Sequence, residues 1–329
     1  MELSGEKVLV TGGAGFIGSH LVESLLRLKA RVVAYDCFDG FYPGKEANLA
    51  PSQSDPHFQL VRADIGDQEA LSAAMKGAKV VFHLAAQAGV RYCMSDPVKA
   101  HEVNVRGTLN VLLAARKAGV ERVVYASSSS VYGRPTKVPL TEDMPANPTS
   151  IYGATKLAGE KYCTSMGESA GTPVVCLRYF SVYGPRGRPD QVVSSFATKV
   201  MRGERPVIYG DGTYSRDFTF VSDVVRATVE AGMSKEAVGL VMNVGYGKEI
   251  TIKEVAKMVL ESLSSSLEIE LKDGYPGDFP RTLCDNSRAR GTLGWRPTVD
   301  FKTGLKSELE WLKETKTNTV PSSMASRSS

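Results

Sequence analysis

A glycine-rich turn near the N-terminus, Thr11-Gly12-Gly13-Ala14-Gly15-Phe16-Ile17-Gly18, constrains the fold more than any other stretch of the chain. Val8-Leu9-Val10 before it suit a buried parallel strand, and Ile17, Leu21, Leu25 and Leu28 after it recur at helical spacing. The stretch therefore reads as a strand-to-helix turn. Gly13, Gly15 and Gly18 satisfy the spacing in which one glycine turns the chain, one lets backbone approach a pyrophosphate, and one seats the helix on the strand. The helix N-terminus offers unpaired N–H groups to phosphates. A second strand, Arg31-Val32-Val33-Ala34-Tyr35, ends in Asp36, roughly 20 residues downstream, where an acid accepts both ribose hydroxyls of NAD and repels the extra phosphate of NADP. The expected ligand is NAD, held by Gly12, Gly15, Phe16, Ile17, Gly18 and Asp36.

Beyond Asp36 a polar, aromatic connection (Cys37 to Gly44) precedes strand Phe58 to Arg62, and strand and helix then alternate. The pattern predicts helix Gln68 to Met75, strand Val80 to Leu84, helix Val98 to Ala118, strand Arg122 to Ala126, helix Ile151 to Met166 and strand Pro173 to Leu177. This alternation signals a doubly wound parallel sheet of the Rossmann type, covered on both faces, with ligands at the carboxyl ends of its strands. From Ser181 proline and glycine punctuate shorter elements. The expected organisation is a dinucleotide domain over 1–180, a smaller and partly discontinuous α/β substrate domain over 181–315, and a disordered tail over 316–329. Strands Asp217 to Val221 and Leu240 to Val244, within 216–246, are candidates for returning to the main sheet. Helices are also expected over Ile252 to Leu263 and Phe301 to Lys313.

The totals exclude several classes. Lys and Arg number 40 against 36 Asp and Glu, so no basic field marks a nucleic-acid binder. The five cysteines form no C-x-x-C pair, which argues against a disulfide framework and a zinc site alike. No signal-like segment and no apolar run long enough to span a bilayer is seen, so a soluble, cytoplasmic protein without a metal or a membrane partner is expected.

Chemistry is suggested by Ile151-Tyr152-Gly153-Ala154-Thr155-Lys156, where Tyr152 and Lys156 fall four apart on one helical face. A phenol is normally protonated at neutral pH, but a nearby ammonium favours its anion and makes it a usable base. The preceding strand ends in Ser127-Ser128-Ser129-Ser130, whose hydroxyls could share a proton between Tyr152 and a sugar hydroxyl.

These motifs together resemble the extended short-chain dehydrogenase/reductases, and among them the nucleotide-sugar 4-epimerases, over Lys7 to about Trp311. The family's Thr-Gly-x-x-Gly-x-x-Gly appears as Thr11 to Gly18, its Tyr-x-x-x-Lys as Tyr152 to Lys156, and its catalytic hydroxyl residue as Ser128, three before Val131-Tyr132-Gly133. The resemblance implies that Asp64 and Ile65 meet the adenine, that Leu84, Ala85 and Ala86 meet the nicotinamide-side ribose, and that Tyr179 and Phe180 meet cofactor and sugar. It implies that Arg216 binds the diphosphate of a UDP-sugar, and it places Asp278 with the substrate residues. Tyr275 stands where galactose epimerases usually carry a diphosphate-binding arginine, which raises Arg281 as a substitute. Related enzymes pair helices 98–118 and 151–166 in a homodimer, and both helices here carry apolar positions on more faces than one sheet can cover.

The choice of reaction and sugar also follows the resemblance. Related dehydratases carry Asp-Glu where this chain has Ser129 and Ser130, and decarboxylases carry Glu at the latter; a loop with no ionisable group points to 4-epimerisation through a transient 4-keto sugar. The stretch His83 to Tyr92, the Phe38 to Asn48 loop with Phe41, Tyr42 and Lys45, Ser181, and Arg188 of Gly184-Pro185-Arg186-Gly187-Arg188-Pro189-Asp190 resemble UDP-glucuronate 4-epimerases. Arg188, with Ser129 and Ser181, would then meet the uronate carboxylate. UDP-glucose/UDP-galactose 4-epimerisation is the alternative substrate reading, and a non-catalytic dinucleotide sensor the alternative of another class.

Overall fold

The structure, a computed structural model, describes residues 1–274 and 280–319. Seven parallel strands form the central sheet in the order Val241–Val244, Val174–Tyr179, Arg122–Ser128, Val80–His83, Lys7–Thr11, Arg31–Asp36 and Phe58–Arg62. The order reverses beside Lys7–Thr11, which has Arg31–Asp36 on one side and Val80–His83 on the other. Such a switch point opens a crevice at the carboxyl ends of the strands.

Both faces of the sheet are packed, as alternation along each strand requires. Val8 and Val10 belong to a core shared with Leu21 and Leu25 of helix Phe16–Arg27 and with Val224 and Val225 of helix Val221–Met233. Leu9 points the other way, into a core with Leu71, Leu112 and Cys163 from helices Gln68–Met75, Gly107–Ala118 and Ile151–Ala170. A separate core joins helices Val192–Met201, Ile252–Ser262 and Phe301–Thr319 through Phe196, Val255 and Leu305.

Three expectations are corrected. Of the two strands considered for return, Val241–Val244 joins the main sheet as an edge beside Val174–Tyr179, whereas Ser215–Phe220 does not. The latter pairs in parallel with Ser181–Tyr183 and antiparallel with Glu249–Thr251, in its own three-stranded sheet. Strand pairing is decided by which edge is available in space, and the two apolar runs look alike in sequence. Secondly, the helix expected over Val98 to Ala118 is broken into Pro97–His101, a π-turn over Glu102–Arg106, and Gly107–Ala118. Thirdly, helix Phe301–Thr319 continues past Thr315, where a disordered tail was expected to begin; the rest of that tail, 320–329, lies outside the described residues, as do Tyr275 and Asp278. Among the described residues no helix is long and apolar enough to cross a membrane.

Candidate active site

The carboxyl ends of the strands open into one cleft of about 960 Å³, walled on the far side by residues 181 to 252. Its floor at the switch point is the glycine turn. Gly12 has φ +70°, and a Cβ there would lie 2.7 Å from the Ala85 nitrogen; a Cβ on Gly18 would lie 2.0 Å from the Gly12 carbonyl oxygen. The left-handed residue of the turn is thus Gly12. Gly12, Gly15, Phe16, Ile17 and Gly18 all line the cleft at the N-terminus of helix Phe16–Arg27.

Asp36 ends the second strand, only 6% exposed, with one oxygen accepting the Ala14 N–H at 3.1 Å and the other the Phe38 N–H at 2.9 Å. Burial raises its pKa, while Lys45 at 3.9 Å and the two N–H donors pull it back. A carboxylate has about four acceptor positions, so two remain for ribose hydroxyls. Asp64, Ile65, Leu84, Ala85 and Ala86 continue the lining. The Tyr42 hydroxyl is buried beside Gly15 and the Phe16 N–H, at the first turn of the helix. A tight glycine turn that a Cβ would fill, helix N–H groups and an acid at the second strand with acceptor positions to spare together fit a dinucleotide.

A buried network fixes this floor. Thr108 Oγ1 donates to the Asn104 carbonyl at 2.6 Å, so it accepts from His83 Nε2 at 3.0 Å. His83 Nδ1 then accepts from Thr11 Oγ1 at 2.7 Å, and Thr11 Oγ1 in turn accepts the Ala85 N–H at 3.3 Å. Burial pushes the His83 pKa down to about 3, which keeps the ring neutral and this single tautomer in place.

Tyr152 and Lys156 lie on one face of helix Ile151–Ala170, with Ser150 capping its first turn by accepting the Gly153 N–H at 3.1 Å. Lys156 Nζ donates to the Ala126 carbonyl at 2.8 Å, and burial lowers its pKa to about 8. The Ser128 side chain stands beside the Tyr152 hydroxyl. Burial raises the Tyr152 pKa, and the positive charge of Arg188 is the largest influence pulling it down, ahead of the Ser128 side chain. Ser128 sits at the end of strand Arg122–Ser128 and accepts the Ser130 N–H at 3.1 Å. Beneath the serines, Glu160 accepts from Ser127 Oγ at 2.8 Å and is forked by Arg178, at 3.0 and 2.5 Å, in a fully buried pair.

Tyr179, Ser129, Ser181, Arg188 and Arg216 line the same cleft. The Tyr179 hydroxyl is bonded to Thr228 Oγ1 at 2.7 Å, and Arg216 donates to its neighbour's carbonyl, Ser215 O, at 2.8 Å. Arg188 is held by Asp190 through Nε and Nη2, at 2.9 and 3.0 Å, and lies 5.8 Å from the Phe41 ring centroid. Arg281, raised as a second diphosphate ligand, instead forks Glu249 and does not line the cleft.

Sequence reasoning missed Asn104. The π-turn Glu102–Arg106 carries it inward, where its amide accepts the Gln87 N–H at 2.8 Å and donates to Gln87 O and Thr155 Oγ1 at 3.0 and 2.9 Å. Asn104 thereby ties the cleft floor to the helix of Tyr152. π-turns concentrate at functional sites, but no residue pattern announced this one. Among the described residues, no group of three or more His, Cys, Asp or Glu could hold a metal ion.

Comparison with known proteins agrees with this geometry. The model of the NAD dependent epimerase/dehydratase family matches residues 8–245. The UDP-glucose 4-epimerase of Mycolicibacterium smegmatis is 39% identical over 313 residues, covering 93% of this chain and 98% of that protein. UDP-glucuronate 4-epimerase 4 of Arabidopsis thaliana is 36% identical over 330 residues, covering 94% of this chain and 75% of its relative. The UDP-glucuronic acid 4-epimerase of Bacillus cereus, solved with UDP-glucuronic acid and NAD, superposes with a TM-score of 0.91 at 36% identity, over 94% of this chain and 99% of that one.

Proposed function

Since the chain belongs to the NAD dependent epimerase/dehydratase family, we propose that it is an NAD-dependent UDP-sugar 4-epimerase that interconverts UDP-glucuronate and UDP-galacturonate. The observation carrying the sugar assignment is Arg188, a guanidinium in the cleft near enough to Tyr152 to depress its pKa. A carboxylate taken out of water needs such a donor.

In this reading the Tyr152 phenolate accepts the proton of the sugar 4-OH, directly or through Ser128, and becomes the neutral phenol. A dinucleotide held by the glycine turn and Asp36 would supply the hydride acceptor for C4 and the donor for the opposite face of the ketone. Arg188 favours the tyrosine anion by charge, while Lys156 is pinned on Ala126 O beneath it on the same helical face. Asp36 takes the adenosine ribose hydroxyls, Asp64 and Ile65 the adenine, and Leu84 to Ala86 with Tyr179 the nicotinamide side. The wall contributed by residues 181–252, including Arg216, takes the UDP. The serine loop offers hydroxyls and no acid or base near C5, so the ketone has no partner for elimination. Arg188, with Ser129 and Ser181, holds the carboxylate near the plane of the C4 ketone, away from the alignment that loss of carbon dioxide from a β-keto acid requires.

A second reading, UDP-glucose as substrate, is favoured by one observation: Asp190 already balances the charge of Arg188. The test is the product profile of wild type and Arg188→Ala on both sugars. Losing one partner of a desolvated charged pair costs about 2–5 kcal/mol, so turnover of UDP-glucuronate should fall far more than that of UDP-glucose, with some UDP-4-keto-pentose released. Equal losses, or a wild type that turns over UDP-glucose alone, would move the assignment to UDP-glucose.

A further inference from the structure

The loop that presents Arg188, between strand Ser181–Tyr183 and helix Val192–Met201, is tied down by groups outside the cleft. On one side Glu308 of helix Phe301–Thr319, 1% exposed, accepts the Gly184 N–H at 2.8 Å and the Ser194 hydroxyl at 2.6 Å. On the other side stands helix Phe16–Arg27, the helix whose first turn forms the dinucleotide floor. Its His20 meets the Pro185 carbonyl at 2.8 Å, and because a carbonyl only accepts, His20 Nε2 carries the proton. Its Glu23 pairs with Arg186 at 2.5 Å, both side chains less than a quarter exposed. Arg186 has φ +66°, a conformation that a non-glycine residue keeps only where its surroundings hold it. Two residues on, the Arg188 N–H is fixed by Gln191 Oε1 at 2.9 Å, and Gln191 Nε2 by Val182 O at 3.1 Å.

His20, Glu23 and Arg186 do not line the cleft, yet they join its two halves. The Phe16 ring, which does line it, meets the His20 ring edge-on at 6.0 Å. We propose that Arg186, clamped by Glu23, and His20, clamped on Pro185, are positioning residues that hold the substrate loop on the cofactor helix and so set where Arg188 meets the sugar. The clamp makes the site's acid-recognising group depend on contacts some distance from the sugar, without any of these residues touching substrate. The inference rests on the reading of Arg188 given above.

The experiment is a double-mutant cycle on the full chain: Arg186→Ala, Arg188→Ala, the pair together, and Arg186→Lys, with KM and kcat measured on UDP-glucuronate and UDP-glucose and with bound NAD quantified. Arg186→Ala is expected to raise KM for UDP-glucuronate about tenfold, as for residues coupled in one network, with little change on UDP-glucose and none in NAD content. Arg186→Lys, which can still pair with Glu23, should recover most of the loss, and the double variant should be no worse than Arg188→Ala. Should Arg186→Ala fail to fold, Glu23→Gln removes the charge partner and leaves the loop sequence intact, with the same expectation in the same cycle. Additive effects, or an equal KM rise on both sugars, would overturn the clamp. Equal losses from Arg188→Ala on both sugars would instead reject the glucuronate reading, and the additivity of the cycle would still decide the clamp.

Discussion

Replacing Tyr152 with phenylalanine removes one oxygen from the cleft and almost nothing from the fold. Ser128, which stands beside its hydroxyl, keeps its bond from the Ser130 N–H when the phenol oxygen goes. The stability cost is therefore at most that of a single hydrogen bond, about 1 kcal/mol, which lowers Tm by a few degrees at most in a chain this long. The chemical cost is much larger. Positioned acid–base help is worth about 10²–10⁴-fold, or roughly 3–5 kcal/mol of barrier at 1.36 kcal/mol per decade. The dinucleotide contacts expected of Gly12 to Gly18 and Asp36 are untouched. Tyr152→Phe should thus purify with wild-type NAD content and melt within a few degrees of wild type, while turnover falls at least a hundredfold. The assay is anion-exchange separation of the epimeric UDP-sugars after timed incubation, alongside NAD released on denaturation. Turnover within threefold of wild type would refute the assignment of Tyr152; lost NAD with lost turnover would make the residue a cofactor contact instead.

Two further outcomes follow from packing. Gly18→Ala would drive a methyl into the Gly12 carbonyl, a 2.0 Å contact that backbone must move to relieve, so the variant should be destabilised by about 1–3 kcal/mol and purify without NAD; retained NAD at wild-type level would show that the turn is more compliant than its geometry implies. Met94, Val98, Leu113 and Tyr162 expose 59, 71, 46 and 39% of their surface on the helices around 90–118 and 151–170, and we propose that these apolar side chains are covered in a homodimer. Light scattering at micromolar concentration should give twice the 35.5 kDa chain mass and fall toward the monomer in Val98→Glu/Leu113→Glu; a monomeric wild type would reject the interface.

Much of this was legible because the main sheet and the cofactor turn are built from local signals. Apolar runs, helical spacing and glycine positions each act within a few residues, and they located all seven strands of the sheet. Asn104 was not legible, because its π-turn exists to reach Gln87 and Thr155, partners 17 and 51 residues away. The sheet preference of Ser215–Phe220 failed for the same reason: an apolar run shows that a strand is buried, not which edge buries it. Arg281 was raised as a substitute only because Tyr275 departs from a family pattern, and the carboxylate of Glu249 holds it. The clamp partners of the substrate loop lie more than a hundred positions from it, so no spacing rule could pair them.

The choice between the two sugars is hard to read from likeness because the cleft holds a carboxylate of its own. Arg188 and Asp190 sum to zero charge, so this guanidinium meets UDP-glucose already paired. A uronate would arrive as a second anion for the same guanidinium. Two of its five N–H donors serve Asp190, and Asp190 is the more exposed partner, 31% against 18%. On the proposed reading the substrate carboxylate therefore shares or replaces Asp190, whose return to water costs little because it is already partly hydrated. What separates the sugars is then the difference between two carboxylate–guanidinium contacts, one in the chain and one in the ligand, and not the full strength of either. A difference of that kind can be shifted by small movements of one loop. Relatives named for glucose and for glucuronate stand at nearly equal identity to this chain, 39% and 36%, so overall likeness does not choose between the sugars, and on the proposed reading the position of Arg188 does.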